Sequence, residues 1–208
     1  MTPKPPRTGE GDQPQAGGGR TRAAATTGYR PEFIAALQLF AHVSKAMHER
    51  GLSRPILVGG AAAEFYSQSA ISTGDFDLCT FQQQALEEEM LKHGFVRPSG
   101  PGQMTKGLVH PDLKLGFEVV ASTPMDGNFD RDTLVLVGNI GDGAFVVISV
   151  EDLIADRMGQ FASGTAADRL GQAQVLFDLG LELDRAYLDR RIREETGGDH
   201  GIETLERD

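Results

Sequence analysis

The chain has 208 residues, of which 39% are hydrophobic and 24% are charged, and this length and apolar content fit one domain with a small extension. Its formal net charge of −10 argues against a protein that coats duplex DNA, because such binding requires a basic face that displaces phosphate counterions. Its single cysteine, Cys79, excludes an intramolecular disulfide and a cysteine-rich zinc site.

Two further absences set an expectation about location. No apolar run approaches the roughly 18 residues that suggest a membrane span. The N-terminus also lacks the apolar stretch that is typical of a signal peptide. We therefore expect a cytoplasmic protein with no membrane partner.

The first part of the chain divides into a tail and a helix. Residues 1–28 are rich in Pro, Gly, Gln and Thr and hold almost no bulky apolar side chains, which predicts a disordered tail. Order is expected near Pro31, which suits the first turn of a helix. From Phe33 to Met47 apolar residues recur at steps of three and four, which predicts an amphipathic helix that stops at Gly51.

Residues 29–148 alternate between strand and helix patterns. Residues 55–58 predict a short buried strand that runs into Gly59 and Gly60, and residues 61–66 predict a closely packed helix. Further strands are predicted at 76–81, 104–110, 115–121, 133–137 and 144–148, and a further helix at 82–93. This alternation predicts an α/β (α+β) unit with a mixed central sheet flanked by helices.

The last quarter of the chain is predicted to be helical. Ser149 followed by Glu151 and Asp152 is typical of a helix N-cap with acidic first-turn residues, and the helix is expected to reach about Phe161. Two more helices are predicted at 168–179 and 184–196. Residues 149–196 therefore form a predicted helical extension, and the polar residues 197–208 are expected to fray.

A strand that runs into two glycines and then a helix is suited to holding a phosphate. Glycine lets the backbone approach the anion, and the helix N-terminus offers free N–H groups with a favourable dipole. Gly59 and Gly60 are therefore candidate phosphate contacts. Ser72 and Thr73, whose hydroxyls can also bind phosphate, follow within one short helix and a return of the chain.

Asp75 and Asp77 are candidate metal ligands. Residues two apart in a strand point to the same face, so the two carboxylates can converge on one Mg²⁺ or hold two ions, as in phosphoryl transfer. A second Asp-x-Asp pair, Asp130 and Asp132, is predicted to lie in a polar turn, because Asn128 precedes it and no alternating apolar pattern surrounds it.

The run ILVGGAA at 56–62, followed by STGDFDL at 72–78, resembles the signature of the nucleotidyltransferase superfamily, which has the DNA polymerase beta-like fold. The pattern there is an apolar strand, Gly-Gly or Gly-Ser, a helix, and then Asp-x-Asp on the next strand. The closest resemblance is to a bacterial branch that includes abortive-infection type toxins. Residues 148–154 also resemble the segment that leads into the C-terminal helices of these proteins.

The resemblance implies further site residues. It implies a third metal-binding carboxylate on a later strand, for which Glu118 is the candidate, although relatives more often carry Asp; the alternative is a solvent-facing strand residue. It also implies a lysine in the helix after residue 150 that reaches the nucleotide phosphates. Arg157 is the candidate there, and the alternative is a surface arginine paired with Asp152 or Asp156.

The resemblance implies an enzyme that uses Mg²⁺ or Mn²⁺ to move a nucleoside monophosphate from a nucleoside triphosphate to an acceptor hydroxyl. Asp75, Asp77 and Glu118 would hold metal, and Gly59, Gly60, Ser72, Thr73 and Arg157 would contact the nucleotide. The acceptor is a protein, an RNA or a small molecule, and an antitoxin-like protein partner is implied as well. The alternative hypothesis is a non-catalytic protein of the same fold that binds a nucleotide or a protein partner.

Overall fold

The computed structural model describes residues 20–23, 28–98, 107–113 and 115–206. Within these residues, seven strands form one mixed sheet in which parallel and antiparallel neighbours alternate, in the order β1-β6-β7-β2-β3-β5-β4. The strands are β1 (Arg20–Ala23), β2 (Ile56–Val58), β3 (Asp75–Cys79), β4 (Leu108–Val109), β5 (Gly116–Ala121), β6 (Val135–Ile140) and β7 (Gly143–Val147).

Six α-helices accompany the sheet in the part of the chain that the structure describes, and the predicted α/β class with a mixed central sheet is confirmed. The helices are α1 (Pro31–Glu49), α2 (Gly59–Ser67), α3 (Gln83–Lys92), α4 (Val150–Ala162), α5 (Arg169–Phe177) and α6 (Arg185–Glu195). No helix among the described residues combines the length and the apolar character needed to cross a bilayer.

Helix α1 follows its sequence pattern closely. Pro31 occupies its first turn, and the predicted apolar stripe, including Phe33, Leu37 and Phe40, is buried. The helix ends at Glu49, and Gly51 follows with a φ of +73°, a left-handed conformation that glycine adopts without steric cost. The helix therefore packs along β7 and α3 through one face, as the periodicity predicts.

An aromatic cluster fixes the face that β3 turns toward the core. The rings of Phe76 on β3 and Phe117 on β5 stack with their centroids 4.5 Å apart, and Phe33 lies 5.3 Å from Phe76. Phe76 and Leu78 are both fully buried. Because side chains alternate along a strand, Asp75 and Asp77 lie on the opposite face of β3.

The C-terminal helices share the core of the sheet instead of forming a separate layer, and the buried carboxylate of Asp152 joins several elements. Ser149 Oγ caps α4 by accepting from the N–H of Asp152 at 3.0 Å, as predicted, and donates to Asp152 Oδ2 at 2.7 Å. Asp152 also accepts from Tyr187 Oη at 2.9 Å and Arg191 Nε at 2.8 Å, which ties α4 to α6.

The ends of the chain differ from their predictions. Residues 20–23 lie within the predicted disordered tail but form β1, because the parallel edge of β6 offers backbone hydrogen bonds regardless of side-chain composition. The predicted frayed end is packed over residues 197–206: Leu205 is buried, and the N–H of Ile202 donates to Asp189 Oδ1 at 2.9 Å. One buried apolar side chain and one backbone hydrogen bond therefore hold a segment that polar composition alone predicts to be loose.

Other strand predictions are shifted at their ends. The strand predicted at 104–110 is observed only as β4, and residues 104–106 lie outside the described residues. The strand predicted at 76–81 begins one residue earlier and ends at Cys79, so that Phe81 is 64% exposed. Asp130 and Asp132 lie in a short 3-10 turn, as predicted, in which Asp130 Oδ1 accepts from the N–H of Asp132 at 2.9 Å.

We predict that Glu89→Gln destabilises the fold in a pH-dependent way. Glu89 is buried on α3 and accepts from Lys92 Nζ at 2.9 Å and Arg50 Nη1 at 2.7 Å, and Lys92 contributes most to holding its pKa below the usual value. Substitution should cost about 1–2 kcal/mol of unfolding free energy at pH 7.

The direction of this pH dependence follows from the lowered pKa of Glu89. A carboxylate whose pKa is lowered in the folded state adds stability above its unfolded pKa of about 4.3, and this stability is lost as pH falls through the folded value. Urea unfolding at pH 7, 5 and 3.5 should therefore show the difference between wild type and Glu89→Gln shrinking only below about pH 4.3. A difference that stays constant over this range would contradict the assignment.

Candidate functional site

A cleft with a volume of about 620 Å³ adjoins the face of β3 that carries the two aspartates. Most of the residues singled out by the sequence line it: Gly59, Gly60, Ser72, Thr73, Asp75, Asp77 and Arg157. Residues 123–126 and side chains of α4 and α5 complete the lining. The structure thus brings together residues from five separate parts of the chain.

The two glycines stand where the first turn of α2 approaches β3. A Cβ atom on Gly59, whose φ is +61°, would lie 2.1 Å from Asp77 Oδ2, and one on Gly60 would lie 2.4 Å from Thr73 Oγ1. The N–H of Gly60 donates to Asp77 Oδ2 at 3.4 Å. Glycine is therefore required at both positions by close packing, and at Gly59 also by backbone conformation.

Asp75 and Asp77 share the cleft face of β3 but differ in environment. Asp75 is exposed, and its Oδ1 accepts from Thr73 Oγ1 at 3.2 Å, whereas Asp77 is half-buried. Burial raises the pKa of Asp77, and the neighbouring charge of Asp75 raises it further. Two carboxylates crowded in this way repel each other, and a bound cation relieves that repulsion.

Glu118, the candidate third carboxylate, lies on β5 next to β3. It is the register partner of Asp77 and contributes to raising the pKa of Asp77, but it does not line the cleft, whereas the exposed Val120 on the same strand does. In the described part of the chain, no three His, Cys, Asp or Glu side chains are grouped so that they could hold a metal ion. Glu118 as the third metal ligand therefore stays a prediction.

The carboxylate pair nevertheless fits one magnesium ion. Mg²⁺ in nucleotide sites is usually held by one or two protein carboxylates, and substrate phosphates and water supply the other ligands. Asp75 and Asp77 provide such a pair beside the start of α2, where N–H groups can receive a phosphate. Manganese, which prefers the same oxygen donors, fits equally well.

Arg157 places a buried cation in the same cleft. It is 3% exposed, and its Nη1 donates to Asp156 Oδ2 at 3.1 Å and to Gln160 Oε1 at 3.4 Å. Among the described residues, its Nε is one of two buried side-chain polar atoms that lack a hydrogen-bond partner. Burial lowers the pKa of Arg157, and the charge of Asp156 opposes this change.

The pairing of Arg157 with Asp156 matches one of the alternatives raised by the sequence, but the guanidinium is buried at the cleft and does not lie on the surface. Asp152, the other alternative partner, is bound by Arg191. An arginine with an unsatisfied buried donor that lines a cleft is suited to an anionic ligand.

Sequence reasoning missed Arg169, on the first turn of α5. It also lines the cleft, and its Nε donates to Gln160 Oε1 at 3.0 Å, the same oxygen that accepts from Arg157. Two guanidinium groups thus meet at one amide oxygen, and each also pairs with a neighbouring aspartate, Arg157 with Asp156 and Arg169 with Asp168. The sequence gives little signal of it, because Arg169 lies outside the recognised motifs and beyond the loop after α4.

A second residue missed is Glu64, which lies fully buried on α2. Its carboxylate accepts from Arg30 Nε at 2.6 Å, Ser69 Oγ at 2.8 Å and the N–H of Thr73 at 2.7 Å. The signal was present in the sequence, since a glutamate inside a short apolar helix is seldom buried without ionic partners.

Comparison of the sequence with protein-family models and with curated proteins finds no match. Among solved structures, the fold is similar to that of an antigenic nucleotidyltransferase-like protein from Paracoccidioides brasiliensis, with a TM-score of 0.56 and 15% sequence identity over 85% of this chain and 93% of that chain. Identity this low shows a shared fold and does not extend to the reaction or to a toxin branch. The chain therefore has a nucleotidyltransferase-like fold.

We predict opposite effects for two glycine-to-alanine substitutions. Gly59→Ala should lower the free energy of unfolding by about 1–2 kcal/mol, because alanine is strained at positive φ and its Cβ would collide with Asp77. Gly171→Ala, in helix α5 where an added Cβ meets nothing within 4 Å, should raise it by about 0.5–1 kcal/mol. Thermal unfolding of wild type and the two variants checks both predictions. An unchanged melting temperature in Gly59→Ala would show that the contact between Gly59 and Asp77 is not tight.

Proposed function

We propose that this chain is a nucleotidyltransferase that binds a nucleoside triphosphate with Mg²⁺ or Mn²⁺ in the cleft and transfers a nucleoside monophosphate to an acceptor hydroxyl. The observation that carries the proposal is the meeting of three features in one cleft. These are the Asp75–Asp77 pair, the close turn at Gly59 and Gly60, and the buried guanidinium of Arg157.

In this proposal the carboxylates of Asp75 and Asp77 hold the metal. The bound ion would offset the negative charge of the triphosphate and of the phosphorus undergoing attack. Asp77 is held by the N–H of Gly60 and by its place between Phe76 and Leu78, so its carboxylate is oriented before any ligand arrives. Such preorganisation lowers the cost of assembling charge at the reacting centre.

The other residues bind the nucleotide. The first turn of α2 at Gly59 and Gly60 and the hydroxyls of Ser72 and Thr73 contact phosphate oxygens. Arg157 and Arg169 contact the phosphate chain from α4 and α5, and a guanidinium suits this task because its planar fork can bind two oxygens at once.

The proposed reaction is a displacement at the α-phosphorus. The acceptor hydroxyl oxygen forms a bond to that phosphorus, the bond to the oxygen that bridges to the β-phosphate breaks, and pyrophosphate leaves with the electron pair of that bond. The hydroxyl proton passes to water. The chain itself binds the donor, orients it and supplies charge on both sides of the phosphates.

The proposed acceptor is a protein, an RNA or a small molecule with a free hydroxyl. The net charge of −10 disfavours RNA, because phosphate-rich acceptors need local positive charge. A toxin-like role and an antitoxin-like partner are supported by the sequence resemblance alone.

A second candidate function is a protein of this fold that binds a nucleotide without transferring it. The observation that favours it is that, among the described residues, no three His, Cys, Asp or Glu side chains are grouped so that they could hold a metal ion. A site with two carboxylates can still hold one metal and a triphosphate.

We predict that calorimetry detects binding of at least one of ATP, GTP, CTP and UTP, and that binding depends on Mg²⁺. Asp77→Asn and Arg157→Gln should each weaken it by about tenfold or more, because each removes a charge from a hydrogen-bonded contact worth about 1.5–3 kcal/mol. Arg193→Gln, at an exposed ion pair on α6, serves as the matched arginine control and should bind like wild type. Absence of binding by all four triphosphates would refute both candidate functions.

We predict that α-³²P-labelled triphosphate transfers label to an acceptor in a cell lysate, and that Asp77→Asn abolishes the transfer. The label must sit on the α-phosphate, since the β- and γ-phosphates leave as pyrophosphate. Binding in the calorimeter without transfer to protein, RNA or small molecules would select the non-catalytic function.

A further inference from the structure

We propose that Glu64 is a positioning residue of this site: together with Arg30 it sets the carboxylate of Asp75 through Thr73. This inference rests on the proposed function, in which Asp75 binds metal, and it assigns a role to a residue that contacts neither metal nor nucleotide. The structural basis is a continuous chain of hydrogen bonds from the buried carboxylate of Glu64 to the exposed carboxylate of Asp75.

The first step in this chain is the ion pair. Arg30 Nε donates to Glu64 Oε1 at 2.6 Å, and Arg30 Nη2 donates to Glu64 Oε2 at 3.0 Å. Ser69 Oγ donates to Oε1 as well, and the N–H of Thr73 donates to Oε2. Each oxygen of Glu64 therefore accepts from two donors, which gives a fully buried carboxylate the partners that its burial requires.

The second step is the clamp on Thr73. Its N–H is bound by Glu64 Oε2 at 2.7 Å, and its carbonyl oxygen accepts from Arg30 Nη2. The two members of the ion pair thus hold both backbone polar groups of this residue. The side chain of Thr73 is confined on another side by Gly60, where even a Cβ would approach Oγ1 to 2.4 Å.

The third step reaches Asp75. Thr73 Oγ1 donates to Asp75 Oδ1 at 3.2 Å and lies equally close to the carbonyl oxygen of Asp75. Asp75 is exposed at the first position of β3, so packing does little to fix its side chain, in contrast to the half-buried Asp77. The orientation of Asp75 therefore depends on Thr73, and the position of Thr73 depends on the Glu64–Arg30 pair.

The charge of Glu64 is essential to this arrangement. In Glu64→Gln, an NH₂ group replaces one oxygen and faces an N–H donor of Arg30, whichever way the amide turns. One orientation breaks the contact of Arg30 Nε and reverses that of the Ser69 hydroxyl, and the other breaks the contacts of Arg30 Nη2 and the N–H of Thr73. A neutral isostere therefore frees the loop without removing side-chain volume.

The experiment is a double-mutant cycle on Mn²⁺ affinity, measured from the electron paramagnetic resonance signal of the free ion. Wild type, Glu64→Gln, Asp75→Asn and the double variant are compared. We expect Glu64→Gln to weaken Mn²⁺ binding by about tenfold, and the double variant to bind as Asp75→Asn alone does, since residues that act through one contact are not additive. If the fold-losses of Mn²⁺ affinity in the two single variants multiply in the double variant, the two residues act independently and the proposal is overturned. Unchanged Mn²⁺ affinity in Glu64→Gln would also overturn it.

The matched control is Glu89→Gln, which removes another buried glutamate with an arginine partner, away from the cleft. It should lower the melting temperature by a comparable amount and leave Mn²⁺ affinity at the wild-type value. Equal losses of affinity in both variants would show that general destabilisation explains the result, and would overturn the positioning role.

Two further measurements cover other outcomes. If Glu64→Gln does not fold, Arg30→Lys is measured in its place. The lysine ammonium keeps the positive charge at a partly exposed position, but it cannot bind both oxygens of Glu64 and also reach the carbonyl oxygen of Thr73. We therefore expect Arg30→Lys to bind Mn²⁺ several-fold more weakly than wild type. If wild type binds no Mn²⁺ either alone or with a triphosphate, the proposed function fails, and a crystal structure of Glu64→Gln or Arg30→Lys decides the positioning role separately. An Asp75 carboxylate that stays on the Thr73 hydroxyl would then overturn it.

Discussion

The alternation of side chains along β3 is the constraint on which the site depends. Phe76 and Leu78 are fully buried in the aromatic core, and a strand cannot bury them without presenting Asp75 and Asp77 on its other face. Hydrogen bonds to β2 on one side and β5 on the other hold the register of the strand. A slip of one residue would place two carboxylates in the core. The packing that stabilises the fold therefore also turns the carboxylates of Asp75 and Asp77 toward the cleft.

The site places two carboxylates and a buried guanidinium in one cleft. Asp77 sits half-buried beside Asp75, and the burial of Arg157 leaves its Nε without a partner among the described residues. Each of these features is unfavourable by itself. Under the proposed function, a cation at the aspartates would relieve their repulsion, and phosphates would accept from the guanidinium of Arg157. A metal-bound triphosphate would bring both charges in one molecule.

The sequence predicts elements whose own side chains determine them and fails where distant residues decide. The stripe of α1, the Ser149 cap of α4 and the outward face of β3 follow from local periodicity and capping, and all are present. The place of Glu118 depends on the pairing of β5 with β3, which sets it opposite Asp77 and which no local pattern reveals. The strand at Arg20–Ala23 depends on the exposed edge of β6, a partner more than a hundred residues away that no local window contains.

The position of Glu118 bears on how many ions the proposed reaction would use. Under the proposed function, Asp75 and Asp77 would hold the ion that accompanies a triphosphate, because the phosphates would supply the remaining oxygen ligands. A second ion that activates the acceptor hydroxyl would need a further carboxylate beside these two. Glu118 lies opposite Asp77 across the β3–β5 pair but does not line the cleft, so in the proposed reaction the hydroxyl proton passes to water and the chain itself only binds and orients the donor.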